Sequence, residues 1–239
     1  MKILLIGYGK MGKAIEGIAV KRGHQVVGKI DVDNAAELKN FNGSNVDAAI
    51  EFTHPSSAYS NVKYCLENNI PVVCGTTGWL DKLPEIKQLR EKMNGSMCYS
   101  SNYSIGVNLF WAVNEKLAQL MNPHADYDVT MEEIHHVYKK DAPSGTAITT
   151  AEGVLAHLER KKSWSIDREN LSPKELFIDH KREHNVPGTH TVVYTSGIDS
   201  IELRHTAFNR EGFATGAVVA AEYISTQKGF FSMKEVLSL

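Results

Sequence analysis

A chain of 239 residues has room for one large domain or two modest ones, either with a sizeable core. Its 26 basic and 28 acidic side chains leave no cationic excess to attract nucleic acid, and 42% hydrophobic residues is ordinary for a globular protein. Met1 and Lys2 run directly into a four-residue apolar stretch that Gly7 ends, unlike a signal peptide, and no apolar stretch could span a membrane.

Residues 3–6, Ile-Leu-Leu-Ile, form the short apolar run of a strand buried on both faces of a parallel sheet. Met11, Ala14, Ile15, Ile18 and Ala19 then recur at helical spacing, and Gly23 stands where a left-handed residue would end the helix. Strands are predicted at 26–30, 48–52, 72–74 and 97–100, with helices through Val62 and Leu66 and through Leu83, Ile86 and Met93. Strands alternating with helical segments argue for a doubly wound parallel sheet, because parallel neighbours need crossover connections. Cys65, Cys74 and Cys98 are odd in number and far apart, which suits buried reduced thiols better than disulfides or zinc ligands.

The pattern changes after residue 102. Val107, Phe110, Trp111, Asn114, Leu117 and Met121 mark a long helix, and Val129, Met131 and Glu133 alternate as in a strand. Residues 160–185 are polar without clear period and read as surface structure, whereas 191–195 and 200–208 read as a hairpin around Ser196-Gly197-Ile198-Asp199. A last helical stripe runs through Phe213, Ala217, Ala220, Ala221 and Ile224. The expected fold class is α/β: an N-terminal Rossmann-like domain (1–102 with 210–239) plus a C-terminal α+β domain (103–209) with a mixed or antiparallel sheet.

Three features carry chemistry. Gly7-Tyr8-Gly9-Lys10-Met11-Gly12 is G-x-G-x-x-G between a predicted strand and helix, where glycines permit close backbone approach to a pyrophosphate and the helix N-terminus supplies free N–H groups. Asp31, about 20 residues on, stands where an acid commonly accepts hydrogen bonds from the adenosine ribose. Phe52-Thr53-His54-Pro55, Gly75-Thr76-Thr77-Gly78 and Ser100-Ser101-Asn102-Tyr103 follow other predicted strands, so these loops should converge on the ligand-binding edge of the sheet. Each alone could be ordinary turn chemistry.

The third feature is the dense run Glu132 to Thr146. His135 and Lys139 are four apart and share a side in either a strand or a helical turn, which brings a proton donor and a cation together. His136 points elsewhere if the strand continues, which disfavours chelation, and no metal is expected. Ser144 reads as the N-cap of a helix through Ala147, Thr150, Ala151, Val154, Leu155 and Leu158, and such an N-terminus binds carboxylates.

The run Glu133, His135, His136, Lys139, Asp141, Ala142, Pro143, Ser144, Gly145, Thr146 resembles the E-x-H-H-x-x-K-x-D-A-P-S-G-T pattern of the 4-hydroxy-tetrahydrodipicolinate (dihydrodipicolinate) reductase family of the diaminopimelate and lysine pathway. Phe52–Pro55, Gly75–Gly78, Ser101–Asn108 and Ile201–Ala207 are similar to that family in the same order. The resemblance implies an NAD(P)H-dependent reductase of a small dicarboxylate, with His135 and Lys139 as acid-base pair and His136, Lys139, Ser144, Gly145 and Thr146 on substrate. It implies NADH or NADPH held by residues 7–12, Asp31, Phe52, Thr53, His54, Gly75, Thr76, Thr77 and Ser100 to Tyr103, a C-terminal helix returning to the first domain, a cytoplasmic homotetramer, and no nucleic-acid or membrane partner. In departure from many relatives the glycine turn is shorter, His54 replaces a frequent arginine, and the segment between Asp31 and Asp47 is trimmed. Other readings are a different two-domain amino-acid or semialdehyde dehydrogenase, or a dinucleotide-sensing regulator without chemistry.

Overall fold

The structure, a computed structural model, describes residues 1–239. The chain divides into two compact units, Met1–Ile105 with Glu211–Leu239, and Gly106–Arg210.

In the first unit, β1 (Lys2–Ile6) leads into α1 (Lys10–Lys21), β2 (Gln25–Ile30), a 3-10 segment (Val32–Asn40), β3 (Ala48–Glu51), α2 (Pro55–Glu67), β4 (Val72–Cys74), α3 (Leu83–Lys92) and β5 (Ser96–Tyr99). These strands pair in parallel in the order β5-β4-β3-β1-β2. Successive side chains point to opposite faces. Ile3, Leu5, Ala48, Ile50, Val73 and Cys98 therefore join one core with Ile15 and Ala19 of α1, and Leu4, Ile6, Ala49, Val72, Cys74 and Met97 join another with Val62 of α2 and Ile86 of α3. Burying each such aliphatic side chain stabilises the fold by about 1.5–3 kcal/mol. As the glycine pattern indicated, Gly23 ends α1 at φ +82, with its N–H on the Val20 carbonyl and that of His24 on Ala19. All three cysteines are buried and free.

The second unit contains α4 (Ile105–Met121), β6 (Asp128–His135), α5 (Gly145–Leu155), β7 (Ser163–Ser165), β8 (Glu175–Arg182), β9 (Gly188–Thr195) and β10 (Ser200–Ala207). Its sheet runs β10-β9-β6-β8-β7, antiparallel on the β9 side of β6 and parallel on the β8 side. Val129, Met131, Glu133 and His135 are the buried residues of β6. Around the first two, the apolar core gathers Leu176, Ile178, Val192 and Tyr194 against Ala147, Ala151 and Val154 of α5 and Phe110 and Ala118 of α4.

Residues 160–185 depart from the surface structure expected of them. They hold β7 and β8, with Leu176 and Ile178 fully buried. Lys161, only 5% exposed, gives its ammonium to the Pro173 and Glu175 carbonyls (3.1 and 3.0 Å) and to Asp128 (2.8 Å). Clustered charge hid a strand whose inward face is short and whose outward face is polar. The chain then enters α6 (Glu211–Thr226), β11 (Gly229–Phe231) and α7 (Met233–Leu237) within the first unit. β11 pairs in parallel with β5 as a sixth strand, which the sequence pattern did not indicate because three residues carry no period.

Candidate active site

In the first unit the loops after β1, β3, β4 and β5 all leave the carboxyl edge of parallel strands. β1 lies between β2 and β3, so the strand order reverses there, the usual place for a ligand on such sheets. Gly7 has φ +94, and a Cβ on it would overlap the Phe52 carbonyl, so only glycine lets the loops after β1 and β3 touch. A Cβ on Gly12 would overlap the Gly7 carbonyl, whereas Gly9 faces open space. Gly9 is also the N-cap of α1 and brings no side-chain cap, so the first-turn N–H groups are left to meet an anion. These features fit a dinucleotide pyrophosphate.

The other predicted residues of this unit are placed as follows. Lys10, Met11 and Gly12 form the first turn of α1, and Met11 packs against the core. The Tyr8 hydroxyl donates to Glu16, and Lys29 reaches both, 2.6 Å from Glu16 and 3.3 Å from the Tyr8 oxygen. Asp31 is exposed and caps the 3-10 segment by accepting from the Val32 N–H at 2.9 Å. The Thr53 N–H donates to the Thr76 hydroxyl at 2.8 Å, tying two of the loops, while the Thr53 hydroxyl donates to Glu51. His54 caps α2, and Gly75 lies against the Phe52 ring with no space for a Cβ. Thr77 and Ser101 are exposed, and Ser100 closes its own turn by donating to the Asn102 carbonyl at 2.7 Å. Asn102 accepts from the Ser104 N–H at 2.9 Å. Tyr103 is 1% exposed and its hydroxyl reaches the Cys74 and Cys98 carbonyls at 2.9 and 3.0 Å, so it braces the ends of β4 and β5.

In the second unit β6 ends at His135, and residues 137–138 turn, with the Lys139 N–H on the His136 carbonyl at 3.0 Å. Strand period therefore does not place Lys139; the turn does. Its ammonium lies 2.9 Å from Asp141, whose carboxyl it holds below the usual carboxylate range. The Ala142–Pro143 bond is cis. Ser144 is the N-cap of α5, accepting from the Ala147 N–H at 3.1 Å, as its spacing before the apolar stripe indicated. Gly145 faces open space, and the Thr146 carbonyl accepts from the Thr150 hydroxyl. His136 is half-buried beside Tyr138.

His135 belongs to a buried polar cluster. Glu133, on the same face of β6 and 0% exposed, places an oxygen 3.3 Å from His135 Nδ1 and accepts the Ser144 N–H on both oxygens at 3.2 and 3.1 Å. Arg182 approaches it to 3.4 Å and His190 to 3.8 Å. Burial pushes the Glu133 carboxyl up, but His135 and Ser144 outweigh it and hold the group at about 2. Burial, with His135 beside it, pushes His190 down to about 3, so His190 is neutral. His190 Nε2 stands 3.2 Å from the Ser144 hydroxyl, and its ring meets that of His135 edge-on at 5.1 Å. Ligand-type atoms of Glu133, His135 and His190 lie within 4.8 Å of one another.

Glu133 as a hub, Arg182 and His190 were not identified from sequence. The signal for Arg182 was the alternation Leu176, Ile178 and onward into a segment read as surface. His190 lies directly opposite Glu133 in the β6/β9 register, which no local pattern reveals.

Comparison with known proteins is consistent over the whole chain. The family model described as dihydrodipicolinate reductase, N-terminus, matches residues 1–103, and its C-terminal counterpart matches residues 106–237. The chain is 48% identical over 238 residues to a 4-hydroxy-tetrahydrodipicolinate reductase of Christiangramia forsetii, covering 100% of this chain and 98% of the relative. A reductase of the same description from Methanococcus aeolicus is 33% identical over 273 residues, covering 100% and 99%. A dipicolinate-bound dihydrodipicolinate reductase from a Paenisporosarcina species superposes with TM-score 0.78 at 21% identity, covering 98% of each chain.

Proposed function

The chain belongs to the dihydrodipicolinate reductase family, and on that premise we propose that it reduces 4-hydroxy-tetrahydrodipicolinate to tetrahydrodipicolinate with a nicotinamide coenzyme, a step of diaminopimelate and lysine biosynthesis. The observation that carries the reading is the joining, in one buried cluster, of a histidine with the capped N-terminus of a helix. Dinucleotide loops alone would fit any dehydrogenase.

The coenzyme, when bound, supplies the hydride. Residues 7–12 take its pyrophosphate on the N-terminus of α1, and Asp31 accepts from the adenosine ribose. The loops at 52–54, 75–77 and 100–103 shape the rest of that site, with Tyr103 as a brace. In the second unit the capped N-terminus of α5, at Ser144, Gly145 and Thr146, faces a substrate carboxylate with its partial positive charge, and Gly145 opens onto free space. His136 and Lys139 add donors to the clamp. Hydride addition to a conjugated imine leaves electron density that a proton must meet, and His135 with Lys139 supplies it.

NADH is the preferred coenzyme in this proposal. The end of β2 offers the Asp31 carboxylate, and the neighbouring cation Lys29 is engaged by Glu16 and Tyr8, so a 2'-phosphate meets an acid instead of a free base. A cytoplasmic setting belongs to the same proposal and accords with free, buried cysteines. So does a homotetramer. β10 is an edge strand with Ile201 41% exposed, and Ile198 and Phe208 at its ends are 93% and 87% exposed, an apolar edge suited to a partner copy.

The test mixes aspartate semialdehyde, pyruvate and the preceding synthase with the protein and follows nicotinamide absorbance. Coenzyme oxidation that needs both precursors, faster with NADH than NADPH, is the expected result. Oxidation with either precursor alone would point to another dehydrogenase, and none at all to a regulator.

A further inference from the structure

We infer that Glu133 is the positioning residue of this site, holding the proton donor and the carboxylate clamp at a set separation; the inference rests on the reading of His135 as the donor. A carboxylate with no exposed surface is costly to bury unless every lone pair is met. Each group meeting Glu133 comes from a different element. His135 stands two residues on along β6, the Ser144 N–H is the cap of α5, Arg182 ends β8, and His190 faces it from β9. One side chain thus registers three strands and a helix N-terminus.

The chemistry of the neighbours favours this role. Glu133 remains ionised at any working pH because its carboxyl is held at about 2. His190 is neutral, so it adds no second cation beside Arg182 and is left to hold the Ser144 hydroxyl. The His135 ring is fixed from three sides. Its Nδ1 faces Glu133, its flank meets the His190 ring, and beyond Nε2 lies Gly188, where a Cβ would stand only 3.0 Å away. The Nδ1 to Glu133 approach lies off the hydrogen-bond line, so Glu133 acts on the ring through its charge and through the anchoring it shares with Ser144.

Ionic charge and simple space-filling predict opposite orders for two substitutions. Glu133→Gln keeps the shape and loses the charge; Glu133→Asp keeps the charge and shortens the arm. Positioning by the ion predicts that Glu133→Gln loses roughly 10- to 100-fold in kcat, that Glu133→Asp retains more activity than Glu133→Gln, and that KM for the coenzyme is unchanged in both. Gly188→Ala, which crowds His135 from the other side without touching Glu133, lowers kcat as well and decides the matter if Glu133→Gln does not fold. Full kcat in a folded Glu133→Gln, a better Gln than Asp variant, or an unaffected Gly188→Ala would overturn the inference while leaving the reductase reading in place. Absence of turnover by the unsubstituted protein would overturn both.

Discussion

The two units build their sites from different materials. In the first, the proposed anion site is backbone: a left-handed Gly7, a helix N-terminus without a side-chain cap and loops that hydrogen-bond one another, all within a few residues of a strand end. In the second, the groups of the proposed site are polar and charged side chains, and Glu133 and His135 of β6, Ser144 at the cap of α5, Arg182 of β8 and His190 of β9 come from four separate stretches brought together by strand register. A backbone site depends on conformation and tolerates exchange of side chains that point away. A charge cluster depends on the whole sheet being in place.

That contrast can be broken by substitution. Replacing both His135 and Lys139 by alanine should remove the about 10²–10⁴-fold contribution of general acid catalysis or more while NADH affinity, measured by fluorescence titration, is unchanged. Comparable turnover in the double variant would detach the second unit from the chemistry. Leu176→Ala, in the apolar core of the second unit, should cost about 2–5 kcal/mol of stability and disturb activity more than NADH affinity. Gly7→Ala should show the reverse: strain at φ +94 and overlap with Phe52 cost roughly 1–3 kcal/mol locally, and NADH affinity falls while the second unit keeps its thermal stability.

Acid sharpens the comparison more gently. His190 is held down to about 3 from the usual 6.5, so the unfolded chain takes up its proton first and stability drains as pH falls below about 6.5 towards 3. Glu133, lowered from 4.5 to about 2, withholds a proton that the unfolded chain accepts, and its contribution is lost from about 4.5 down to 2. Both signs agree. Hydrogen exchange should show the sheet of the second unit opening earlier in acid than that of the first, and the His190→Gln variant should flatten the upper part of the profile.

Legibility followed the same divide. The glycine run, the strand-helix alternation and the Ser144 cap were readable because each is a local rule with a short period, and the chain folds into the Rossmann-like sheet and the mixed second sheet that these rules indicated. The short strand β11 and the charged stretch containing β8 were not readable, one for want of length and the other because its inward residues are outnumbered by solvated ones. Lys139 shows a subtler limit. A four-residue spacing was consistent with two conformations, and the chain adopts a turn that is neither.

The sequence alone determined the class of fold, the glycine turn that opens α1 and the Ser144 cap of α5, because backbone conformation and capping depend on residues a few positions apart. Tertiary structure alone decided which partners a buried acid would have. Glu133 finds Arg182 and His190 only when β8 and β9 pair with β6, and a charge without surface is governed by whatever the fold sets beside it.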